Sequence, residues 1–468
     1  VLSFKGEGTC PVADFFYAQK EIIMFNPFKE KGISKDKLFV DWKELYPFSY
    51  DKNEVDPYTR LRIILMNGTE FEANWFLHQF ARHTDDNDLK RDLALIRRQE
   101  QQQQKMIACL KPLDESILET TLAYEQLAID LTAVLAQTDI NKNNIEALDF
   151  ALLEDFDHLY RFSNLMMLDM PKADPADLVG KFTEIMPGRP TLAHHRYPKD
   201  NLRKAMNADK SDLYSKLVAG IITAAEQQTM NYYMNIAQWY KNDLGRQLYS
   251  EIGMVEEQHV TQYESLKDPT CTWLEQWVMH EYTECYLYYS CYMTECDRYI
   301  KRIWEECLIQ EIAHLNKAKE LLWKYERKEW QQVIPCGDFP SILKLGSNIE
   351  YVRNIIATTT GNTQRLECVV PLDDLKENAP FFFYQSTVNN DVHNVASHEV
   401  ITKYIQNKGC DYRYEVAEHP ICVLRDRTCD NTSIGRIASE TPDSTSICGI
   451  TANNCNCRTQ SCDGNINW

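Results

Sequence analysis

The chain has 468 residues, of which 44% are hydrophobic, and a formal net charge of −19. This length suffices for two or three domains, and the apolar fraction suffices to fill their cores. The negative charge argues against nucleic-acid binding, which requires a basic face, and no apolar run reaches the roughly 18 residues of a membrane span. We therefore expect a soluble, cytoplasmic, globular protein with neither membrane nor nucleic acid as a partner.

Two long helical segments account for most of the chain. Residues 1–61 are rich in aromatic residues, with several prolines and glycines, and are expected to form a lead-in that packs on the next domain. Residues 62–169 and 211–332 show the apolar periodicity of helices. The prolines of residues 170–210 interrupt that pattern and predict a linker between the two segments.

The C-terminal part has a different character. Residues 333–428 are predicted to form a small α/β or irregular region, with strands at 367–371 and 381–384 and helices near 347–357 and 397–407. Residues 429–468 are rich in Ser, Thr, Asn, Gly and Cys and carry no periodicity. We expect this Cys-rich tail to add no regular structure.

The two helical segments are related to each other. A shift of 156 residues, without a gap, superposes five acidic or histidine positions of the first segment on five of the second: Glu70 on Glu226, Glu100 on Glu256, Glu125 on Glu281, Asp155 on Glu311 and His158 on His314. The match indicates an internal duplication of a four-helix unit. The predicted fold class is therefore mainly α, with two tandem four-helix bundles.

Each helix of the second unit carries acidic residues in the middle of an otherwise apolar seam. The candidate ligands are Glu226, Glu256, His259, Glu281, Glu284, Glu311 and His314. Buried carboxylates without partners cost several kcal/mol each, and two divalent metals would compensate them. In Glu-x-x-His the two side chains lie one turn apart on one face, so a metal can take the His while the Glu bridges two metals. We predict a carboxylate-bridged di-metal centre within residues 211–332.

The first unit has fewer candidate ligands. Gln103 stands where the second unit has a His, and Ala128 stands where it has a second Glu. These replacements should weaken a dinuclear site, so we expect a scaffold that binds at most one metal, with Glu154 as a reserve ligand.

Three other features have ordinary structural interpretations. His194-His195-Arg196 is expected in a surface loop of the linker. His280 is rotated about 100° around its helix from Glu281 and is not counted as a ligand. Cys285 and Cys307 are expected to be small buried hydrophobic residues.

The pattern of Glu226, Glu256-x-x-His259, Glu281-x-x-Glu284 and Glu311-x-x-His314 resembles the ferritin-like superfamily. The second Glu of the third helix makes it most similar to the rubrerythrins. This resemblance implies a cofactor of two Fe ions and the reduction of hydrogen peroxide or oxygen, with electrons from an external donor. It also implies that Glu226 is a terminal ligand, that Glu281 bridges or binds, and that Glu284 is the catalytic carboxylate that exchanges with a His ligand during redox change.

The resemblance is incomplete, because no Cys-x-x-Cys pair of a rubredoxin module is present among the 16 cysteines. Carboxylate and imidazole ligands also suit manganese. Two alternatives to a di-iron peroxidase or ferroxidase therefore stay open: an iron-storage or structural protein with a non-catalytic site, and a manganese catalase-like enzyme. The sequence leaves a homo-oligomer open as well.

Overall fold

A computed structural model of the protein describes residues 25–33, 38–179, 183, 185–390 and 395–408. The protein is mainly α-helical, as predicted, and its described strands form one two-stranded sheet. None of the helices in these residues combines the length and the apolar character that crossing a membrane requires.

Eight long helices form the body of the molecule. They are α1 (Pro57–Arg82), α2 (Asn87–Ala108), α3 (Ile117–Thr138), α4 (Lys142–Asp169), α7 (Leu213–Ile236), α8 (Asp243–Glu264), α9 (Trp273–Thr294) and α10 (Arg298–Glu326). The segment between α4 and α7 holds two one-turn helices, α5 (Pro175–Leu178) and α6 (Thr191–His194).

Side-chain caps define where the long helices begin. Each N-cap is an Asp, Asn, Ser or Thr whose side chain accepts a hydrogen bond from the first turn: Asp56, Asp86, Ser116, Asn141, Asp212, Asn242, Thr272 and Asp297. Such caps satisfy backbone N–H groups that have no partner within the helix. Helices α3 and α9 add a capping box, in which a Glu side chain bonds back to the cap residue.

The internal duplication is confirmed by these boundaries. Shifted by 156 residues, α2 and α3 coincide with α8 and α9 at both ends, and every cap of the first unit coincides with a cap of the second. Helices α1 and α7 begin at equivalent residues, as do α4 and α10. The repeated unit is therefore two helical hairpins, α1–α2 with α3–α4 and α7–α8 with α9–α10.

The hairpins do not group as two tandem bundles. Helices α1 and α2 meet α9 and α10, as the contacts of Gln103 with Glu311 and of Tyr288 with Glu70 show. Helices α3 and α4 meet α7 and α8, through the contacts of Tyr233 with Glu125 and of His158 with Glu256. We name α1, α2, α9 and α10 bundle I, and α3, α4, α7 and α8 bundle II. Each bundle thus takes one hairpin from each repeat.

The difference from the predicted tandem arrangement has a simple physical cause. The apolar seam of a helix defines the face that is buried, but it carries no information about which helix covers that face. Because the two repeats present equivalent seams, each hairpin can be closed by a hairpin of its own unit or by the equivalent one of the other. Helices α1 and α7 pack against each other and join the two bundles along this shared boundary.

The segment between the repeats is more than a linker. Thr191, His194, His195 and Arg196 are all buried, so the predicted surface loop at His194–Arg196 is wrong. These residues lie against α4 and against the C-terminal region, as the hydrogen bond from Gln385 to the carbonyl oxygen of His195 illustrates.

The C-terminal region contains α11 (Ile349–Thr359), the antiparallel strands β1 (Asn362–Arg365) and β2 (Cys368–Pro371), α12 (Pro380–Val388) and α13 (Ala396–Lys408). The predicted helices near 347–357 and 397–407 and the strand at 367–371 are confirmed. The strand predicted at 381–384 is wrong, because these aromatic residues follow Pro380, which starts α12 at its first turn.

The flanking segments pack on the bundles. Val352, Ile356, Val400 and Ile401 share a hydrophobic core with residues of α4 and α8. At the other end of the chain, Phe28 stacks on Tyr282 and Trp330 with ring centroids 5.8 and 3.8 Å apart. The predicted Cys-rich tail, residues 429–468, lies outside the described residues.

The interleaved arrangement makes a direct prediction for fragments of the chain. Residues 1–210 contain half of bundle I and half of bundle II, so this fragment alone should lack cooperative thermal unfolding. The same holds for residues 211–468. When mixed, the two fragments should associate and regain the near-UV circular dichroism of the whole chain. Independent folding of either fragment with a closed metal-binding core would contradict the interleaving.

Candidate metal centres

The core of bundle I contains six potential ligands on four helices. Glu70 comes from α1, Glu100 from α2, Glu281 and Glu284 from α9, and Glu311 and His314 from α10, and all six are fully buried. They form two groups of residues whose ligand atoms lie within 4.8 Å of one another: Glu100, Glu281, Glu311 and His314 in one, and Glu70, Glu100 and Glu284 in the other. We call this set centre I.

Glu100 belongs to both groups of centre I. Its Oε1 lies 2.8 Å from Nδ1 of His314, and the same nitrogen lies 3.3 Å from Oε2 of Glu311 and 3.9 Å from Oε2 of Glu281. One carboxylate shared between two adjacent ligand groups is the arrangement that a dinuclear metal site requires.

The core of bundle II contains an equivalent set. Glu125 comes from α3, Asp155 and His158 from α4, Glu226 from α7, and Glu256 and His259 from α8. These residues are also buried, and they form two groups: Asp155, Glu226, Glu256 and His259 in one, and Glu125, His158 and Glu256 in the other. We call this set centre II.

Glu256 is the shared carboxylate of centre II, and each of its oxygens faces a different histidine. Oε1 lies 3.0 Å from Nδ1 of His158, and Oε2 lies 3.0 Å from Nδ1 of His259. Nδ1 of His259 is also 3.2 Å from Oδ1 of Asp155 and 3.8 Å from Oε2 of Glu226. The carboxylate therefore lies between two nitrogen-containing ligand groups.

A ring of outer residues orients the inner ones. Nε2 of His259 lies 2.7 Å from Oε2 of Glu154, whose other oxygen accepts a hydrogen bond from Arg196 and lies 3.4 Å from Nε of Arg189. In centre I, Nε2 of His314 lies 3.2 Å from the amide oxygen of Gln99. A partner on the second ring nitrogen fixes the tautomer of a metal-binding histidine, so that Nδ1 is directed at the metal.

Aromatic and amide donors fix three of the carboxylates of centre I. The hydroxyl of Tyr288 donates to Glu70, the indole N–H of Trp277 donates to Glu281, and the amide of Gln103 donates to Glu311. In centre II the hydroxyl of Tyr233 donates to Glu125. Each of these bonds uses one carboxylate oxygen and leaves the other directed into the core.

Several inner oxygens have no hydrogen-bond partner among the described residues. Neither oxygen of Glu284 has one, and neither oxygen of Glu226 has one. Buried polar atoms of this kind are costly and demand an explanation. Their convergence with the imidazoles gives each centre the oxygen and nitrogen donors that iron and manganese take, so the donor set fits a pair of such ions.

The electrostatics of the two cores are those of crowded anions. Burial, together with neighbouring carboxylates, raises the pKa of Glu70, Glu100, Glu281 and Glu284 well above its ordinary range. In centre II, burial and nearby carboxylates raise the pKa of Glu125 and Glu226 in the same way.

Glu256 is the exception among these carboxylates. Burial alone would raise its pKa, but the adjacent His158 and His259 outweigh this effect and lower the pKa to about 2. The shared carboxylate of centre II is therefore held as an anion, which is the form that binds metal.

The seven predicted ligands do not converge on one point. The structure divides them between the two centres: Glu226, Glu256 and His259 belong to centre II, and Glu281, Glu284, Glu311 and His314 belong to centre I. The residues that complete each centre come from the first repeat, which was expected to be a scaffold.

The two replacements in the first repeat fall in different centres. Gln103 lies in centre I, where it bonds to Glu311, and Ala128 is the residue of α3 that corresponds to Glu284 of α9. Centre I thus has five carboxylates and one imidazole, and centre II has four carboxylates and two imidazoles. Neither centre is a degraded copy of the other.

Sequence reasoning missed the outer residues. Glu154 is a partner of His259 rather than a reserve metal ligand, and the charges of Arg189 and Arg196 balance it. The sequence shows Glu154 directly before Asp155-x-x-His158. Its arginine partners, however, lie more than thirty residues further along the chain, in an irregular segment. Cys285 and Cys307 are buried, and burial raises the pKa of both thiols, which agrees with their expected role as small apolar residues.

His280 is also placed by the structure. It belongs to none of the four ligand groups of the described residues, and its Nε2 lies 3.5 Å from Oε2 of Glu284. Burial lowers the pKa of its imidazole to about 3.

Comparison with models of known protein families, with characterised proteins and with solved structures finds no match to this chain.

The raised carboxyl pKa values predict a pH dependence of the metal-free protein. An acid whose pKa is raised on folding binds its proton more tightly in the folded state, so stability falls as pH rises above the ordinary value of 4.5. Each proton so retained contributes a slope of about 1.4 kcal/mol per pH unit. Glu256 adds no such slope above about pH 6, since it is ionised in both states.

The measurement is urea unfolding of the chelator-treated protein between about pH 6 and pH 8, with metal-loaded protein as the control. We expect the free energy of unfolding to decrease with pH in the metal-free form and to vary less in the loaded form. A metal-free protein that gains stability over this range would contradict the assignment.

Proposed function

We propose that this protein is a di-metal oxidoreductase with two carboxylate-bridged dinuclear centres, in which iron is the metal and a peroxide or oxygen is the oxidant. The proposal follows the resemblance of the ligand pattern to the rubrerythrins. It differs from the sequence-based hypothesis in the number of centres and in their composition from both repeats.

The shared carboxylate of each centre is the observation that carries the proposal. Glu100 and Glu256 are equivalent residues of the two repeats, and each joins two ligand groups in a fully buried core. Burying this many acids without cations costs several kcal/mol per unpaired charge. Surface acids or ordinary helix histidines would not show this convergence.

When bound, two ferrous ions can together supply the two electrons that reduction of a peroxide consumes. The chain contributes the remaining requirements of such a reaction. Tyr288 and Trp277 hold Glu70 and Glu281 in fixed orientations, and buried aromatic side chains pack around both cores.

Centre I is the better candidate for the reactive centre. Glu284 has two oxygens without hydrogen-bond partners among the described residues, so its carboxylate is free to change its mode of metal binding. The equivalent position of centre II holds Ala128, and the second imidazole there favours tighter retention of metal. A structural or storage role for centre II is compatible with this difference.

Metal content tests the two centres separately. We expect about four metal ions per chain, one for each ligand group. Glu100→Ala should remove the metal of centre I, Glu256→Ala should remove that of centre II, and each variant should retain about two ions, as measured by elemental analysis after anaerobic iron loading. The double variant should retain none.

The exposed neighbours of these residues provide matched controls. Gln101 and Glu257 directly follow Glu100 and Glu256 in the chain, but their side chains are exposed on the solvent side of α2 and α8. Gln101→Ala and Glu257→Ala should leave the metal content unchanged. If Glu100→Ala bound as much metal as the wild type while Glu256→Ala bound none, centre I would not be a metal site.

The redox reaction can be followed directly. We expect the anaerobically reduced, iron-loaded protein to be reoxidised by stoichiometric hydrogen peroxide faster than by oxygen, as measured by stopped-flow absorbance of the ferric product. The fast phase should persist in Glu256→Ala, which keeps centre I, and disappear in Glu100→Ala.

Other outcomes would select among the alternatives. Faster oxidation by oxygen would favour an oxidase or a ferroxidase. Peroxide disproportionation by manganese-loaded protein without a reductant would favour a catalase. Bound metal that neither oxidant changes would exclude the redox function and leave a structural site.

A further inference from the structure

A cavity of about 340 Å³ lies beside centre I, between α1, α7 and α9. Glu284 and His280 form part of its wall, so the cavity reaches a carboxylate of the metal centre itself.

Burial distinguishes the inner end of the cavity from its mouth. The inner end is buried: at most 2% of the surface of Glu284, Ile221 or Thr69 is exposed to solvent. Lys216 and Lys267 are only half-buried and therefore lie towards the solvent. The cavity thus runs from a charged rim to the metal ligands.

The cavity is far larger than a peroxide molecule requires. A water molecule occupies about 30 Å³ of liquid, and hydrogen peroxide is only slightly larger. Cavities that bind small organic molecules begin at about 300 Å³. The walls match such a molecule, because Phe76, Ile221 and Met279 supply apolar surface between the rim and Glu284.

The cavity is lined by charges of both signs, with Lys216, Lys267 and Lys328 beside Glu72, Asp209, Asp268 and Glu275. Lys328 is paired with Glu275 at 2.7 Å, and Asp268 accepts hydrogen bonds from the backbone of Ala208 and Thr270. Lys267 has no ion-pair partner within 4 Å among the described residues, and Lys216 donates to a backbone carbonyl oxygen, that of Val333. These two ammonium groups can hold a carboxylate.

The equivalent space beside centre II is filled. The side chain of Gln228, which corresponds to Glu72 of the cavity wall, packs over Gly68 and donates to the carbonyl oxygen of Ile64. Tyr124 and Leu127 replace His280 and Thr283, and the ring of Tyr124 stacks on Tyr232 with centroids 4.6 Å apart. The cavity is therefore a property of one repeat interface and not of the fold in general.

From this asymmetry we infer that the cavity binds an organic hydroperoxide that carries a carboxylate at its far end. The carboxylate lies at Lys216 and Lys267, the apolar body lies along Phe76 and Met279, and the hydroperoxide reaches centre I at Glu284. The reaction rests on the proposed function, whereas binding in the cavity does not.

The proposed reaction is the two-electron reduction of the hydroperoxide. The O–O bond of the hydroperoxide breaks, and two protons and two electrons convert it to an alcohol and water. The electrons would come from the reduced metal pair that Glu100 and the other ligands of centre I would hold, and the protons would come from solvent. The external electron donor that the resemblance to the rubrerythrins implies would then return the two electrons.

Binding is tested with octanoate, which has the carboxylate and the apolar body but no oxidising group. Isothermal titration of metal-free and zinc-loaded protein should give saturable binding. Gly220→Leu should abolish it, because an added Cβ meets only Thr283, at 3.8 Å, so that the new side chain enters the cavity without a backbone clash. Lys267→Gln should weaken binding about two- to fivefold, the usual effect of one half-exposed ion pair.

Lys111 is the matched control, since it is the residue equivalent to Lys267 in the first repeat and lies 3.9 Å from Glu115. Lys111→Gln should leave octanoate binding unchanged. Equal weakening by both lysine variants, or no saturable binding of octanoate by the wild type, would overturn the inference. Circular dichroism of each variant checks that it folds.

Reaction is tested with 8-hydroperoxyoctanoate and hydrogen peroxide on reduced, iron-loaded protein. We expect the organic hydroperoxide to reoxidise the metal at least about tenfold faster at equal concentration, and octanoate to compete with it. Equal rates without competition would overturn the proposed substrate. Octanoate binding without reoxidation by any peroxide would instead overturn the proposed function and leave the binding site in place.

Discussion

The fold is organised around a concentration of buried negative charge. Nine carboxylates of the two ligand sets lie in the cores of two helical bundles, where an uncompensated charge costs several kcal/mol. Two consequences are visible in the structure. Burial and neighbouring carboxylates raise the pKa of groups such as Glu284 and Glu100, whereas His158 and His259 lower the pKa of Glu256, and Arg196 lowers that of Glu154.

Interactions outside the cores fix the positions of the helices and the orientations of these buried carboxylates. Caps fix the start of each helix, and Arg189 and Arg196 of the connecting segment reach the anionic Glu154 behind centre II. The connecting segment is consequently buried, although its prolines suggested a loop. Hydrogen bonds from Tyr288, Trp277 and Tyr233 then set the direction of the inner carboxylates.

Much of this arrangement could be predicted from the sequence. The helices, their caps, the repeat and the buried faces follow from local patterns with a reach of three or four residues, and the Glu-x-x-His pairs mark the inner faces of α8 and α10. The partner of each face could not be predicted, because the two repeats present equivalent surfaces. Glu256 was therefore grouped with Glu281, whereas in the structure it meets His158, 98 residues before it in the chain.

The same limit applies to the residues around the ligands. Nothing local to His194–Arg196 indicates a buried position, since that position depends on Glu154 and on Gln385 of a distant helix. Likewise Phe381–Tyr384 read as a strand by composition, but Pro380 and the neighbouring turn favour a helix start. Patterns that depend on contact between distant segments are not encoded in short stretches of sequence.

The exchange of hairpins between the repeats has a consequence for how the two centres can diverge. In a symmetric dimer of identical four-helix subunits, any amino-acid change would alter both metal sites at once. With both units in one polypeptide, equivalent positions can carry different residues. Gln103 stands in bundle I where bundle II has His259, and Ala128 stands in bundle II where bundle I has Glu284. Covalent linkage thus permits the two ligand sets to diverge, while the packing of α1 against α7 stays common to both bundles.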